Sequence, residues 1–164
     1  MTSGTEARKI DDILRRLDHL EALSQITSDT GSFTPTWVGV GTAGTFTYTT
    51  NATLVEWTRL GNRLFYNGRI VITAITVAPT GNLTIVGWPF AAVSDATMLI
   101  AGGGAMIAWA INIAAGYTDV SLNFVNGSSA ASVVRSGDNV AIVNVLGGEL
   151  IVGDCRFAGQ YRIA

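Results

Sequence analysis

Histidine and cysteine are almost absent from this chain of 164 residues, which holds one of each, His19 and Cys155. A single cysteine cannot form a disulfide within the chain, and a single histidine supplies too few ligands for a zinc site. Hydrolase triads with a histidine base are excluded from the region after residue 29, because that region contains no histidine. We therefore expect no disulfide, no bound metal and no cofactor.

Charged residues are also scarce, at 13% of the chain, and the formal net charge is only −2. This balance gives no general attraction for nucleic acid, so we expect no nucleic-acid partner. The first 29 residues hold 10 of the 22 charges, and the other 135 residues hold 12 charges and no lysine. A body with so few charges indicates that part of its surface is hidden in an oligomer.

The N-terminal region is predicted to form one amphipathic helix. Ser3 and Glu6 have the spacing of a capping box, which marks a helix start. The apolar residues that follow repeat mainly at the a and d positions of a heptad. They form a candidate partner-binding stripe made of Ile10, Ile13, Leu14, Leu17, Leu20 and Leu23. The stripe could pair in a short parallel coiled coil, dock on another protein, or pack on the body of its own chain.

Residues 1–29 are thus interpreted as a helical arm with a connector, and residues 30–164 as one β domain. The second region is rich in Thr, Val, Ile, Gly and aromatic residues, with frequent turn signals. Turns are predicted at Gly61-Asn62, Asn67-Gly68 and Asn126-Gly127, because these residue pairs tolerate positive φ angles. About ten strands result. The predicted fold is mainly β, a jelly-roll-like β-sandwich with a short N-terminal α-helix.

An uncharged stretch between Asp95 and Asp119 is long enough to cross a bilayer. The large residues there alternate with Met106, Ala108, Ala110 and Asn112, which is the period of a strand and not of a helix. These large residues are Ile107, Trp109, Ile111 and Ile113. We therefore predict a buried strand and no membrane insertion. The run of glycines at 102–104 is predicted to be a flexible or tightly packed turn between strands.

Catalysis is not expected in the β domain. Its six carboxylates are typical of turn and rim residues, and no pair is marked out for acid–base chemistry. They are Glu56, Asp95, Asp119, Asp138, Glu149 and Asp154. Among the tryptophans, Trp57 and Trp109 are predicted in the core. Trp37 and Trp88, each near a proline, are predicted at a rim, where they could contact a sugar or a partner protein.

Four segments carry a resemblance to a known family. They run from Phe33 to Tyr48, Trp57 to Ile70, Pro79 to Leu83 and Gly87 to Phe90. Together they resemble the β-sandwich domains of tailed-bacteriophage virion proteins, among them tail fibres and head decoration or fibre proteins. The resemblance implies a trimer with a jelly-roll-like head, often on an N-terminal helical or fibrous stem. It transfers no catalytic or receptor-binding residue, because the shared positions are typical of turns and core.

We therefore predict a non-enzymatic structural protein on the outer surface of a phage particle. The preferred interpretation is a homotrimeric capsid decoration, or cement, protein that binds the major capsid protein or another virion protein and stabilises the head. The alternative is a tail-fibre or receptor-binding head that contacts a host surface glycan. Decoration is preferred because it needs only a compact trimer with a short arm, whereas residues 1–32 leave little room for a fibre shaft. A shared fold does not by itself decide between them.

Overall fold

The computed structural model describes residues 4–24, 28–95, 97 and 100–164. Within these residues one helix precedes eleven strands, and a short 3₁₀ helix, Gly147–Glu149, lies before the last strand. The elements are α1 Gly4–Ser24, β1 Ser28–Phe33, β2 Thr36–Gly39, β3 Thr45–Tyr48, β4 Leu54–Leu60, β5 Arg63–Val77, β6 Leu83–Val86, β7 Ile100–Ala108, β8 Asp119–Val125, β9 Ala131–Gly137, β10 Val140–Asn144 and β11 Gly153–Arg162.

The strands form one curled antiparallel sheet in the order β1-β4-β5-β11-β7-β8-β9-β6-β2. β3 pairs with the second half of β5, and β10 pairs with β9. The sheet curls into a half-barrel. The Trp37 amide of β2 donates a hydrogen bond to the Tyr48 hydroxyl of β3 at 3.1 Å. The predicted mainly-β, sandwich-like fold with one N-terminal helix is therefore confirmed.

Two of the predicted turns are confirmed. Gly61-Asn62 joins β4 to β5 as a two-residue hairpin, in which Leu60 pairs with Arg63 and Gly61 has φ +57°. Asn126-Gly127 follows β8, and Gly127 has φ +70°. Both glycines take the left-handed conformation that other residues rarely adopt, which is why these dipeptides favour turns.

The turn predicted at Asn67-Gly68 is wrong, because both residues lie inside the long strand β5. Gly68 is needed there for packing. A β-carbon at this position would lie 2.5 Å from the Phe157 ring and 2.7 Å from a methyl group of Val55. The neighbouring strands β4 and β11 therefore fill, with their own side chains, the space that the missing side chain leaves.

The core lies on the inner face of the curl, where alternate side chains of each strand meet. Five aromatic residues form its centre, and they come from β5, β8, β11 and the loop after β6: Tyr66, Phe124, Phe157, Tyr161 and Trp88. The rings of Phe124 and Tyr161 stack with centroids 3.9 Å apart, and the rings of Trp88 and Phe124 meet in a T-shaped arrangement with centroids 4.7 Å apart. Aromatic side chains of this kind bury about 150–250 Å² each, so these five form a large part of the core.

The glycine run at 102–104 lies within β7, so the predicted turn is wrong. Gly104 stands directly opposite Gly159 of β11, which in turn stands opposite Tyr66 of β5. A β-carbon on Gly104 or Gly159 would lie about 2.5 Å from the Tyr66 hydroxyl. The two glycines therefore make a flat area of sheet over which the Tyr66 side chain lies.

The uncharged stretch does contain strand β7, but the face assigned to its large residues is wrong. Ile107 is 58% exposed and Trp109 is 61% exposed, whereas Met106 and Ala110 are buried. The predicted inward face is thus wrong at Ile107 and Trp109, whereas Ile111 of the same predicted set is buried. No helix among the described residues is long and apolar enough to span a bilayer.

The helix α1 confirms the predicted N-terminal helix, and the described part of its apolar stripe faces solvent. Ile10, Ile13, Leu14 and Leu17 are 48–55% exposed, so these four do not pack on the body of their own chain. The predictions for the Ser3 cap and for the side chains of Leu20 and Leu23 lie outside the described residues. The described part of the stripe is therefore free to meet another molecule.

Candidate functional site

The predicted rim position of Trp37 and Trp88 is wrong, since their exposed fractions are 1% and 5%. Trp88 belongs to the aromatic core, and its indole Nε1 donates a hydrogen bond to the Ile85 carbonyl at 3.0 Å. A proline beside a tryptophan therefore does not place the ring at a rim. Neither ring is available to a sugar or to a partner protein.

Trp57 packs against the core as predicted, with its ring edge-on to Phe90 at a centroid distance of 5.3 Å. Trp109, also predicted in the core, is instead the exposed tryptophan. The Arg156 guanidinium lies over its ring, 5.8 Å from the centroid. An exposed aromatic ring beside an arginine is a common feature of binding surfaces.

A candidate binding surface lies on the outward face of β1, β4, β5 and β11. Two shallow depressions of about 640 and 420 Å³ adjoin there and share Glu56 and Asn67. We call them together the outer groove. The loop before β4 lines one end of it with Asn51 and Ala52. The strands line the rest with Thr30, Ser32, Leu54, Glu56, Thr58, Phe65, Asn67, Arg69 and Arg156.

Strand register brings the central residues of the outer groove side by side. Ser32 of β1 pairs with Glu56 of β4, and Glu56 pairs with Asn67 of β5. In the next row, Thr58 of β4 pairs with Phe65 of β5. Residues directly opposite in an antiparallel pair have β-carbons about 4.5–5.5 Å apart, so one small ligand can touch both members.

An ion-pair cluster forms one end of the outer groove. The Arg69 guanidinium binds both oxygens of Asp154, with Nη2 2.8 Å from Oδ2, and Arg156 Nη2 lies 3.3 Å from the same oxygen. Hydrogen bonding by Arg69 holds the pKa of Asp154 below its ordinary value, and Asp154 raises the pKa of Arg69. One carboxylate is thus shared by two arginines.

A second polar cluster has a structural role. The Arg135 guanidinium of β9 pairs with Glu149, and it lies over the Tyr117 ring at 4.4 Å. The second oxygen of Glu149 accepts the Leu146 amide at 2.8 Å. This cluster fixes the 3₁₀ helix against β9, and both of its charged side chains are mostly buried. The charges are therefore compensated within the fold.

Groups suited to metal binding or nucleophilic attack do not gather in the described part of the chain. No cluster of three or more His, Cys, Asp or Glu side chains is present among the described residues. Burial raises the pKa of the Cys155 thiol to about 12, so this thiol stays protonated at neutral pH. The outer groove is thus suited to binding by hydrogen bonds and ring contact.

Sequence reasoning missed the central residues of the outer groove. The strict alternation in β4 and β5 did carry a signal, because Glu56 and Asn67 alternate with the buried residues Val55 and Tyr66. Interpreting Asn67-Gly68 as a turn removed Asn67 from its strand and so obscured that signal.

Comparison with known proteins gives a likeness of fold. No protein-family model matches the chain, and no curated protein matches it. Among solved structures, the crystal structure of the Dettilon tailspike protein (gp208) is similar, with a TM-score of 0.60 and 20% sequence identity. The alignment covers 83% of this chain and 24% of that one, so the chain corresponds to about a quarter of the tailspike's length. The two proteins share this fold.

Proposed function

We propose that this protein is a structural module of a tailed-phage virion, carried on the tail and exposed on the outer surface of the particle, where it contacts the host. The observation that carries the proposal is the fold shared with the Dettilon tailspike protein over 83% of this chain. The virion resemblance of residues 33–90 supports the same class of protein. The exposed stripe of α1 supplies a surface for attachment.

The module acts as a homotrimer. Support comes from the 12 charges and the lack of lysine in residues 30–164, and from large apolar side chains that face solvent in the single chain. Exposed apolar surface of this kind is costly in a free monomer and is typical of association surfaces. We propose that the trimer is non-enzymatic, because the β domain has no histidine for a triad, its thiol is buried, and its six carboxylates are typical of turn and rim residues.

A capsid decoration protein is the second candidate. The exposed stripe on a 21-residue helix favours it, because such a helix can dock on an assembled shell of major capsid protein. The fold comparison favours a tail protein, since the similar structure is a tailspike. We rank the tail first for that reason.

Deleting the gene from its phage distinguishes the two placements. A tail module that contacts the host should, when absent, reduce adsorption to cells and leave the heat stability of the head unchanged. A decoration protein that binds only the assembled shell stabilises that shell. Its loss should release the genome at lower temperature, and purified protein should restore stability. Normal adsorption with a heat-sensitive head would reverse our ranking, and particles unchanged in both respects would contradict both candidates.

A further inference from the structure

We propose that the outer groove binds an uncharged oligosaccharide, with a sugar ring on Phe65 and hydroxyl groups on Glu56 and Asn67. This inference rests on the proposed function in one respect, because it names the surface through which a host-contacting module would bind the host. The site itself is argued from its chemistry.

The two polar residues at the centre are free to bind a ligand. The side chains of Glu56 and Asn67 make no hydrogen bond or ion pair with the described residues, although they face each other across β4 and β5. A carboxylate only accepts hydrogen bonds, whereas an amide both donates and accepts. Neighbouring sugar hydroxyls also donate and accept, so they can satisfy both side chains at once. The hydrogen bonds to the carboxylate are the stronger ones.

An exposed aromatic ring lies beside this polar pair. Phe65 is 39% exposed, and it precedes Asn67 by two residues on the same face of β5. The hydroxyl-bearing residues Thr30 and Thr58 complete its row across the sheet. A ring with polar groups around its edge matches a sugar, whose flat face carries C–H groups and whose rim carries hydroxyls. A purely apolar partner would leave those hydroxyls and the carboxylate without hydrogen bonds, which is unfavourable.

Charge decides the class of saccharide. The outer groove contains the acidic residue Glu56 and the basic residues Arg69 and Arg156, and Asp154 compensates one of the two arginines. The formal charges therefore sum to zero. Glu56 would repel an acidic sugar at the position where the ligand binds. A neutral chain avoids this repulsion.

The shape favours an oligosaccharide over a single sugar. Depressions of about 640 and 420 Å³ are within the range of small-ligand sites, roughly 300–1,000 Å³. They adjoin at Glu56 and Asn67 and continue toward Arg69 and Arg156. Consecutive sugar units can therefore occupy the two depressions, with the central pair between them.

The test uses the full-length chain on an array of short neutral oligosaccharides of hexose and N-acetylhexosamine, with uronic-acid-containing counterparts. Retained glycans are then titrated in solution. We expect neutral glycans to bind, and we expect Phe65→Ala and Glu56→Gln each to lower the affinity about tenfold or more. Ile142→Ala, which removes an exposed apolar side chain on β10 outside the outer groove, should leave affinity unchanged. Thermal unfolding confirms that each variant is folded.

Three results would overturn the proposal: no neutral glycan is retained, acidic glycans are preferred, or both groove variants bind as the wild type does. A change in the mass of the oligomer on Phe65→Ala would assign the outer groove to contact between copies instead. These results are separable from the proposed function. If the protein lies on the tail but phage carrying the groove variants adsorb normally, only the proposal for the outer groove is contradicted. If the protein binds glycans but is absent from the particle, only the proposed virion role is contradicted.

Discussion

At the scale of single residues, glycine sets how closely the central strands and the aromatic core approach each other. Gly104 and Gly159 form a bare area under Tyr66, and Gly68 makes room for the Phe157 ring. Burial raises the pKa of the Tyr66 hydroxyl, which makes no hydrogen bond with any described residue. The core thus favours dense ring packing over a hydrogen bond for this hydroxyl.

Gly68→Ala should destabilise the protein by about 1–3 kcal/mol, because the new methyl group would overlap the Phe157 ring and a Val55 methyl group. Gly148→Ala is the matched control, since a β-carbon there meets nothing within 4 Å. Its effect should stay within about 0.5 kcal/mol. Chemical denaturation measures both variants, and equal stabilities would contradict the packing role of Gly68.

Trp88→Ala should cost about 3–5 kcal/mol of unfolding free energy, because it removes a buried ring from the centre of the core. Trp109→Ala should cost less, because that ring is exposed in the single chain and only association between copies would bury it. Thermal and denaturant unfolding of the two variants, side by side, test this order. A larger loss of stability for Trp109→Ala than for Trp88→Ala would support the sequence-based prediction that Trp109 lies in the core and Trp88 at a rim.

At the scale of elements, β5 and β11 form the longest strand pair of the sheet. They pair over ten residues, from Arg63 to Ile72 on β5. The Arg69–Asp154 ion pair connects their outward faces and also borders the outer groove. Because the pair is partly exposed, it fixes the position of Arg69 more than it contributes to stability.

The stabilising effect of Asp154 should depend on pH. Its pKa is lowered in the folded protein, chiefly by the hydrogen bonds from Arg69. The contribution is therefore fully present above the ordinary value of 3.8 and is lost as the pH falls through the lower folded value. Asp154→Asn should lower the midpoint of thermal unfolding at pH 7, and the difference should shrink below pH 3.8.

Asp138→Asn serves as the control for this measurement. Asp138 is exposed in the turn after β9 and makes no ion pair with the described residues. Its replacement should leave the midpoint unchanged at both pH values. A difference between wild type and Asp154→Asn that is the same at both pH values would contradict the role of the ion pair.

Replacing Ile13 and Leu17 of α1 with Asp should abolish attachment to particles and leave the β domain folded. Burying an unpaired carboxylate in an apolar contact costs several kcal/mol, whereas the same carboxylate is harmless on an exposed helix face. Co-sedimentation with particles measures attachment, and circular dichroism follows the strands. The exposed Arg15, replaced by Ala, is the control. Undiminished attachment of the double variant would show that the stripe has another role.

At the scale of the whole molecule, the curl of the sheet separates an inner aromatic core from an outward face with few charges. Three apolar side chains near the ends of β7 and β11 remain in solvent: Ile107, Trp109 and Val152. The backbone amide of Trp109 donates to the Asp154 carbonyl at 2.9 Å, which joins the segment after β7 to the start of β11. Their exposure in the single chain is best relieved by association.

Sedimentation equilibrium of the full chain should give the mass of three subunits. The Ile13→Asp, Leu17→Asp variant should keep that mass, because we expect the association to belong mainly to the β domain and to be apolar. A monomeric wild type would contradict the proposed trimer. A wild-type trimer that becomes monomeric in the variant would assign the association to α1.

The elements of this protein follow from local sequence. Apolar spacing of three and four residues gives α1, alternation gives strands such as β3 and β8, and Gly61-Asn62 gives a hairpin, because each depends on neighbours along the chain. The class of fold follows in the same way, since frequent turn signals between alternating segments leave little besides a mainly-β architecture.

The face that β7 buries was decided only by the tertiary structure. Alternation has the same period whichever set points inward, so it could not show that Met106 packs inside while Ile107 and Trp109 face solvent. Nor could it show that Gly68 lies within a strand and not in a turn. Gly68 leaves space there for the ring of Phe157, which is 89 residues away along the chain. The outer groove exists because β1, β4, β5 and β11 come together in one register, and that pairing depends on contacts between distant segments.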